Sequence, residues 1–224
     1  MLTVTGATIS YGTHTVIDGR DLTVEPASVV AFVGSNGAGK STFLKGLAGF
    51  IPMQCSSFTL DGQPCVPSSP IHRRDTFAIM DNFAWMRGLT LWDHYCLLGK
   101  HLPQERIVAA MERFNIDAYA DRMPYSLSTG QAQRASLVTM LLRPWKVLFL
   151  DEPEQRLDAV SQEILAEVLV EELADRTVVM ATHSPMLRDE VATDLVDLDP
   201  PASGAPDPDP LPSREPDSES GTVL

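Results

Sequence analysis

The stretch VVAFVGSNGAGKST, residues 29–42, decides the fold. Its first five residues are an unbroken apolar run, the pattern of a strand buried on both faces of a parallel sheet. Gly34, Ser35, Asn36, Gly37, Ala38, Gly39, Lys40 and Ser41 then fit G-x-x-x-x-G-K-[ST], a phosphate-binding loop, with Thr42 opening a helix behind it. The chemistry needs this order. Glycines let the backbone curl so that successive N–H groups point at phosphate oxygens. The helix that follows adds positive potential at its N-terminus. Lys40 is expected to reach the β- and γ-phosphates, and the Ser41 hydroxyl to ligate magnesium.

Two further apolar runs lie downstream. Residues 147–150 end in Asp151 and Glu152; residues 178–181 end in Thr182 and His183. Ligands of open α/β sheets bind at the C-terminal ends of strands, so Asp151 is expected to hold magnesium and Glu152 to activate an attacking water as general base. Ile164, Leu165, Val168, Leu169 and Leu173 recur at helical spacing after Asp158, a candidate N-cap. Strands alternating with helices give an α/β class. Before this core, residues 3–10 and 20–24 read as short antiparallel strands, with Gly12 and Gly19 between them. The middle, about 83–143, reads as an inserted helical lobe punctuated by Pro103 and Pro124.

The 224 residues suit one α/β domain. The formal net charge of −13 argues against a nucleic-acid partner. Cys55, Cys65 and Cys96 are odd in number and lack C-x-x-C spacing, which fits a reducing cytoplasm and no zinc site. No basic-then-apolar leader is expected, and no apolar run approaches the roughly 18 residues of a membrane span, so no direct membrane insertion is expected. Residues 200–224 break in composition: seven of the 17 prolines and five acids stand against one arginine. Such a segment is expected to be a disordered acidic tail, because it cannot bury enough apolar surface to offset its ordering entropy.

Leu127, Ser128, Thr129, Gly130 and Gln131 precede Gln133, Arg134 and a helix running into the acidic strand. Together with the phosphate loop, the acidic strand end and His183, in that order, this segment resembles the ATP-binding cassette family over about residues 2–199. A small hydroxyl residue and a glycine at a helix start offer donors to a phosphate, and are equally those of an ordinary N-cap. The resemblance implies a RecA-like P-loop NTPase core, with an N-terminal antiparallel β subdomain and an inserted helical subdomain. It implies an ATPase domain at 1–199 that binds ATP and Mg2+, stacks adenine on Tyr11 and contacts the γ-phosphate with His183. It further implies that Ser128, Gly130 and Gln131 complete the site of a second cassette, in a homo- or heterodimer. The partner expected is a transmembrane permease subunit, which would hold this chain peripherally on the cytoplasmic face of the cell membrane.

The sequence also departs from the family. Thr129 adds a Cβ where glycine is usual, and Glu154, Gln155 and Arg156 stand where smaller residues are common. Leu89 and Thr90 match the segment after the family's core–lobe glutamine, which puts Asp81 in that glutamine's place as a third candidate magnesium ligand, with Asn82 beside it as the alternative amide. Trp85, Met86, Trp92 and Tyr95 follow, either as core or as an anchor groove for a membrane-subunit helix. Two other classes compete: a soluble cassette uncoupled from transport, and a regulatory cassette that binds ATP with little hydrolysis. A kinase or GTPase gives the signature no role.

Overall fold

The computed structural model describes residues 1–80 and 83–199. Asp81, Asn82 and the acidic tail at 200–224 lie outside the described residues. The chain opens with β1, Leu2–Tyr11, and β2, His14–Val24, followed by β3, Val29–Val33, and helix α1, Lys40–Leu47. Next come β4, Ser57–Leu60, β5, Gln63–Pro64, a short helix α2, Pro70–Asp75, and β6, Thr76–Ile79. The middle holds α3, Leu91–Leu98, α4, Gln104–Arg113, and α5, Thr129–Leu142. The remainder is β7, Val147–Asp151, α6, Ala159–Glu167, β8, Thr177–Ala181, and β9, Asp194–Asp197.

Two sheets form. One has the order β2-β1-β4-β5 and is antiparallel. The other has the order β6-β7-β8-β3-β9, with parallel pairing throughout. Its central strands are apolar on both faces, and their alternation assigns residues to two cores. Ala31, Leu148, Leu150, Val178 and Met180 face a core shared with α3 to α6. Phe32, Phe149, Val179 and Ala181 face a second core shared with α1 and the antiparallel sheet. There the Phe32 and Phe43 rings stack at 5.2 Å, fastening α1 to β3. Burying each such ring contributes about 1.5–3 kcal/mol. Because the five strands run in one direction, the loops after β3, β7, β8 and β9 all emerge at one edge.

The N-terminal strands differ from the sequence reading in extent. The second begins at His14, not at residue 20, so the hairpin is closed by Gly12 (φ 62°) and Thr13. Gly19 (φ 57°) lies inside β2, where its N–H donates to Thr8 Oγ1 at a shift in register. A glycine absorbs such a bulge within a strand, so it did not mark a boundary here. The periodic residues after Asp158 do form a helix, and the Asp158 carboxylate accepts from Ser161 N as its N-cap. The helix ends in a π-helical turn, Val168–Glu172.

Between β6 and β7 the described structure is helical. Pro103 is the N-cap of α4, and Pro124 opens a 3-10 turn. Of the aromatic cluster, Tyr95 is wholly buried and donates its hydroxyl to Ala135 O at 2.9 Å. Trp85 packs edge-on against Tyr95 and His94, and Trp92 is half-buried on the same core. Core packing therefore accounts for three of the four residues, leaving Met86 exposed.

Candidate active site

The loop from Gly34 to Gly39 joins β3 to α1 through three positive-φ glycines: Gly34 at 133°, Gly37 at 89° and Gly39 at 94°. At Gly39 a Cβ would come within 2.9 Å of Val16 and Ile17 side-chain carbons, so only glycine lets the loop lie against β2. Lys40, 6% exposed, donates from Nζ to Gly34 O at 2.8 Å and Ser35 O at 3.0 Å. Its ammonium is thus held against the loop's own carbonyls.

The loop is held from the far side by Asp199. That carboxylate accepts from Ser35 N at 2.9 Å and Ser35 Oγ at 2.6 Å. These donors, with the charge of Lys40 nearby, hold its pKa below the usual carboxylate value. Arg20 of β2 donates to the Leu198 and Asp199 carbonyls, fixing the end of β9 against the antiparallel sheet.

At the end of β7, Ser41 Oγ donates to Asp151 Oδ1 at 2.7 Å. The other oxygen, Asp151 Oδ2, lies 3.5 Å from Lys45 Nζ, yet it is buried and makes no hydrogen bond. A hydroxyl and a carboxylate with one buried oxygen that no hydrogen bond occupies are the donor set of a hard divalent cation. Magnesium fits these residues.

Glu152 follows at φ 46°, a left-handed conformation that turns the chain sharply off the strand. Its N–H donates to Ala181 O at 2.8 Å, and Gln155 Nε2 donates to its carboxylate. Glu152 Oε1 stands 3.7 Å from Nε2 of His183, which follows β8. Asn36, Gly37, Gly39, Lys40, Ser41, Thr42, Glu152 and His183 line a single cavity of about 300 Å3, and Val16 of β2 joins them. A larger cleft of about 570 Å3 holds Arg106, Arg113, Arg143 and Arg176. Its arginines are largely committed elsewhere: Arg113 to Glu167 and Glu172, Arg143 over Phe77, Arg176 over Trp145.

Tyr11 closes β1, 53% exposed as a residue and outside the lining of that cavity. Ser128, Gly130 and Gln131 also stand apart from it. They form the N-terminus of α5 as a reciprocal capping box: Ser128 Oγ accepts from Gln131 N, and Gln131 Oε1 accepts from Ser128 N. Thr129 is exposed in the first turn. A Cβ on Gly130 would stand 2.9 Å from Arg156 O, so glycine is required where α5 meets the turn after β7. Gln133 Nε2 donates to Pro153 O at that same junction.

Val16, Glu154, Gln155 and Asp199 touch the site or its neighbours and were not singled out as site residues from sequence. Their signals are weak: one valine of an alternating strand, two residues of a turn, and an acid at the border of an acidic tail.

The family model for the ABC transporter matches residues 17–155. Over 185 residues the chain is 36% identical to the thiamine import ATP-binding protein ThiQ of Vibrio vulnificus (strain YJ016), covering 78% of each. It is 33% identical to the aliphatic sulfonates import ATP-binding protein SsuB of Corynebacterium glutamicum, covering 81% of this chain and 73% of that one. It is 32% identical to the alpha-glucoside transport ATP-binding protein AglK of Rhizobium meliloti, with 78% of this chain matched to 50% of that longer one. A solved ATP binding subunit of an ABC transporter has the same fold, with a TM-score of 0.79 at 23% identity over 88% of this chain and 85% of that one. The α/β phosphate-loop architecture read from the sequence is therefore the one observed, and the chain belongs to the ABC transporter family as an ATP-binding, ATP-hydrolysing subunit.

Proposed function

We propose that the chain hydrolyses ATP with magnesium to drive a separate transmembrane permease, as one half of a cassette dimer. The observation that carries this is the convergence of Lys40, Ser41, Asp151, Glu152 and His183 at one edge of a parallel sheet. In this reading residues 1–199 are the ATPase domain, 83–143 its helical subdomain, and 200–224 an acidic tail that takes no part in the chemistry.

The loop amides and the Lys40 ammonium bind the β- and γ-phosphate oxygens, exchanging the Gly34 and Ser35 carbonyls for ligand. The Ser41 hydroxyl and Asp151 would hold magnesium, which would supply positive charge to offset that of the phosphates. Asp81 is retained as a third proposed metal ligand on sequence position alone. Glu152 orients water and takes its proton as the water oxygen attacks the γ-phosphorus and the bond to the β–γ bridging oxygen breaks. His183 donates to the γ-phosphate, holding it in line with that attack. The exposed Tyr11 stacks its ring on adenine. The capped start of α5, with Ser128, Gly130 and Gln131, supplies donors to the partner cassette's γ-phosphate.

No helix among the described residues is long and apolar enough to cross a membrane. This fits a subunit held peripherally at the cytoplasmic face by its permease. Two of the relatives are named for the import of thiamine and of aliphatic sulfonates. Import is the direction we assign, and the difference in cargo agrees with specificity residing outside the cassette.

The test is phosphate release by the purified chain with ATP, with and without magnesium, and after co-expression with a candidate permease subunit. Hydrolysis should need magnesium, and the chain should sediment with membranes only when the permease is present. Lys40→Ala should lose ATP affinity. Magnesium-independent hydrolysis, or unchanged affinity in Lys40→Ala, would count against the reading.

A further inference from the structure

Glu154 carries a carboxylate in the turn between β7 and α6, and both of its oxygens are unusually placed. Oε1 accepts from three donors of one short segment: Thr182 Oγ1 at 2.6 Å, His183 N at 2.9 Å and Ser184 N at 3.1 Å. Oε2 is buried and makes no hydrogen bond. Leaving a buried acceptor unsatisfied lowers stability, so the carboxylate is kept here at some cost to the fold. What that carboxylate gains is a fixed position for the turn after β8. Thr182 Oγ1 reinforces it by accepting from Ser184 N at 3.0 Å while donating to Glu154.

The same turn carries Glu152. The sheet already joins the two strands, with Asp151 paired to Ala181 and Glu152 N donating to Ala181 O. That pairing stops at Ala181, one residue short of Thr182 and two short of His183. Beyond it, the Glu154 carboxylate spans from the turn bearing the general base to the backbone of the histidine. The 3.7 Å between Glu152 Oε1 and His183 Nε2 is therefore set from two sides, by strand register and by this clamp.

We propose that Glu154 is a positioning residue for His183, fixing its imidazole relative to Glu152 and the γ-phosphate. The inference rests on the role given to His183 above. Glu154 does not line the cavity of Lys40, Glu152 and His183, so its loss acts on kcat and not on ATP binding.

The experiment compares Glu154→Ala, Glu154→Gln, His183→Ala and the Glu154→Ala/His183→Ala pair, with ATP affinity as the check on folding. Glu154→Ala should lower kcat on the order of tenfold with KM within about twofold. It should add nothing further in the His183→Ala background, since coupled residues are non-additive. Glu154→Gln keeps an acceptor oxygen and should recover most of the rate. Amide hydrogen exchange of the nucleotide-free protein reads the clamp directly: His183 and Ser184 should lose protection in Glu154→Ala and retain it in Glu154→Gln. An equal loss of kcat in both His183 backgrounds, or no loss, overturns the proposal. If His183→Ala alone leaves the rate unchanged, the catalytic reading of His183 falls. The exchange arm still stands then, and unchanged protection in Glu154→Ala overturns the clamp itself.

Discussion

Ser41 Oγ donates to Asp151 Oδ1 at 2.7 Å, joining the first turn of α1 to the end of β7 across 110 residues. The contact aligns a hydroxyl from the phosphate loop with a carboxylate from a different strand, and Asp151 Oδ2 beside it has no hydrogen bond. If this pair holds magnesium, removing the hydroxyl weakens metal binding without touching the lysine. Ser41→Ala should raise the magnesium concentration for half-maximal ATPase activity by roughly tenfold, and Asp151→Asn by at least as much. Magnesium titrations that superimpose on wild type would place the metal elsewhere.

Glu152 tests the division between binding and chemistry. Glutamine keeps its size and tolerates the same φ of 46°, so the backbone turn has no reason to change. The substitution removes only the proton acceptor. Glu152→Gln should lower turnover on the order of 10²–10⁴-fold and leave ATP affinity near wild type. Phosphate release and equilibrium ATP binding on one preparation decide it; full turnover would remove Glu152 as the base.

How much of this was legible beforehand follows from what each feature depends on. Glycines at fixed spacing before a lysine report a local backbone requirement, and the loop formed where the string stood. The apolar runs ending in Asp151 and in Thr182 report burial on both faces, which is also local. β9 is four residues with an acid at each end, and its position at the sheet margin leaves it no apolar signature. Glu154 was visible only as an oddity of composition, because its partners lie 28–30 residues away and two of the three are main-chain amides. The extent of β2 was hidden because Gly19 punctuates a bulge and a turn equally well.

Stability in acid should follow Asp75. Hydrogen bonds from Arg74, then the contact with Lys146, lower its pKa from 3.8 to about 2. A depressed folded-state pKa gives stability that is present above the unfolded value and lost as pH falls through the folded one. The window is therefore about pH 4 down to pH 2. Arg74 and Lys146 are exposed, so solvent screening limits the contribution to about 1 kcal/mol. Asp75→Asn should flatten the fall in stability across that window and lower stability modestly at neutral pH. Denaturant melts at pH 7, 4 and 2.5 measure it, and parallel pH profiles for the two proteins would remove Asp75 from the account.

Ser128 is exposed at the start of α5, and neither it, Gly130 nor Gln131 lines the cavity of Lys40, Glu152 and His183. Within one chain their visible work is structural: Ser128 and Gln131 cap each other, and Gly130 makes room for Arg156 O. A head-to-tail dimer would give the exposed helix start a second role, presenting its free amides to the γ-phosphate held by the other chain. Donors supplied in trans produce large rate effects in phosphoryl transfer. Hydrolysis per molecule should then rise with protein concentration, and Glu152→Gln with ATP should accumulate a species of doubled mass by light scattering. Two variants separate the roles of Ser128. Ser128→Ala loses the cap, at about 1 kcal/mol. Ser128→Arg loses the same cap and also places a long side chain where the partner's phosphate would approach. Both should melt alike and keep the monomer's affinity for ATP, but in the Glu152→Gln background Ser128→Ala, which loses one donor, should only weaken the doubled mass while Ser128→Arg should abolish it. Full-rate hydrolysis by dilute monomer, or an undiminished doubled mass in Ser128→Arg, would confine the signature segment to its capping role.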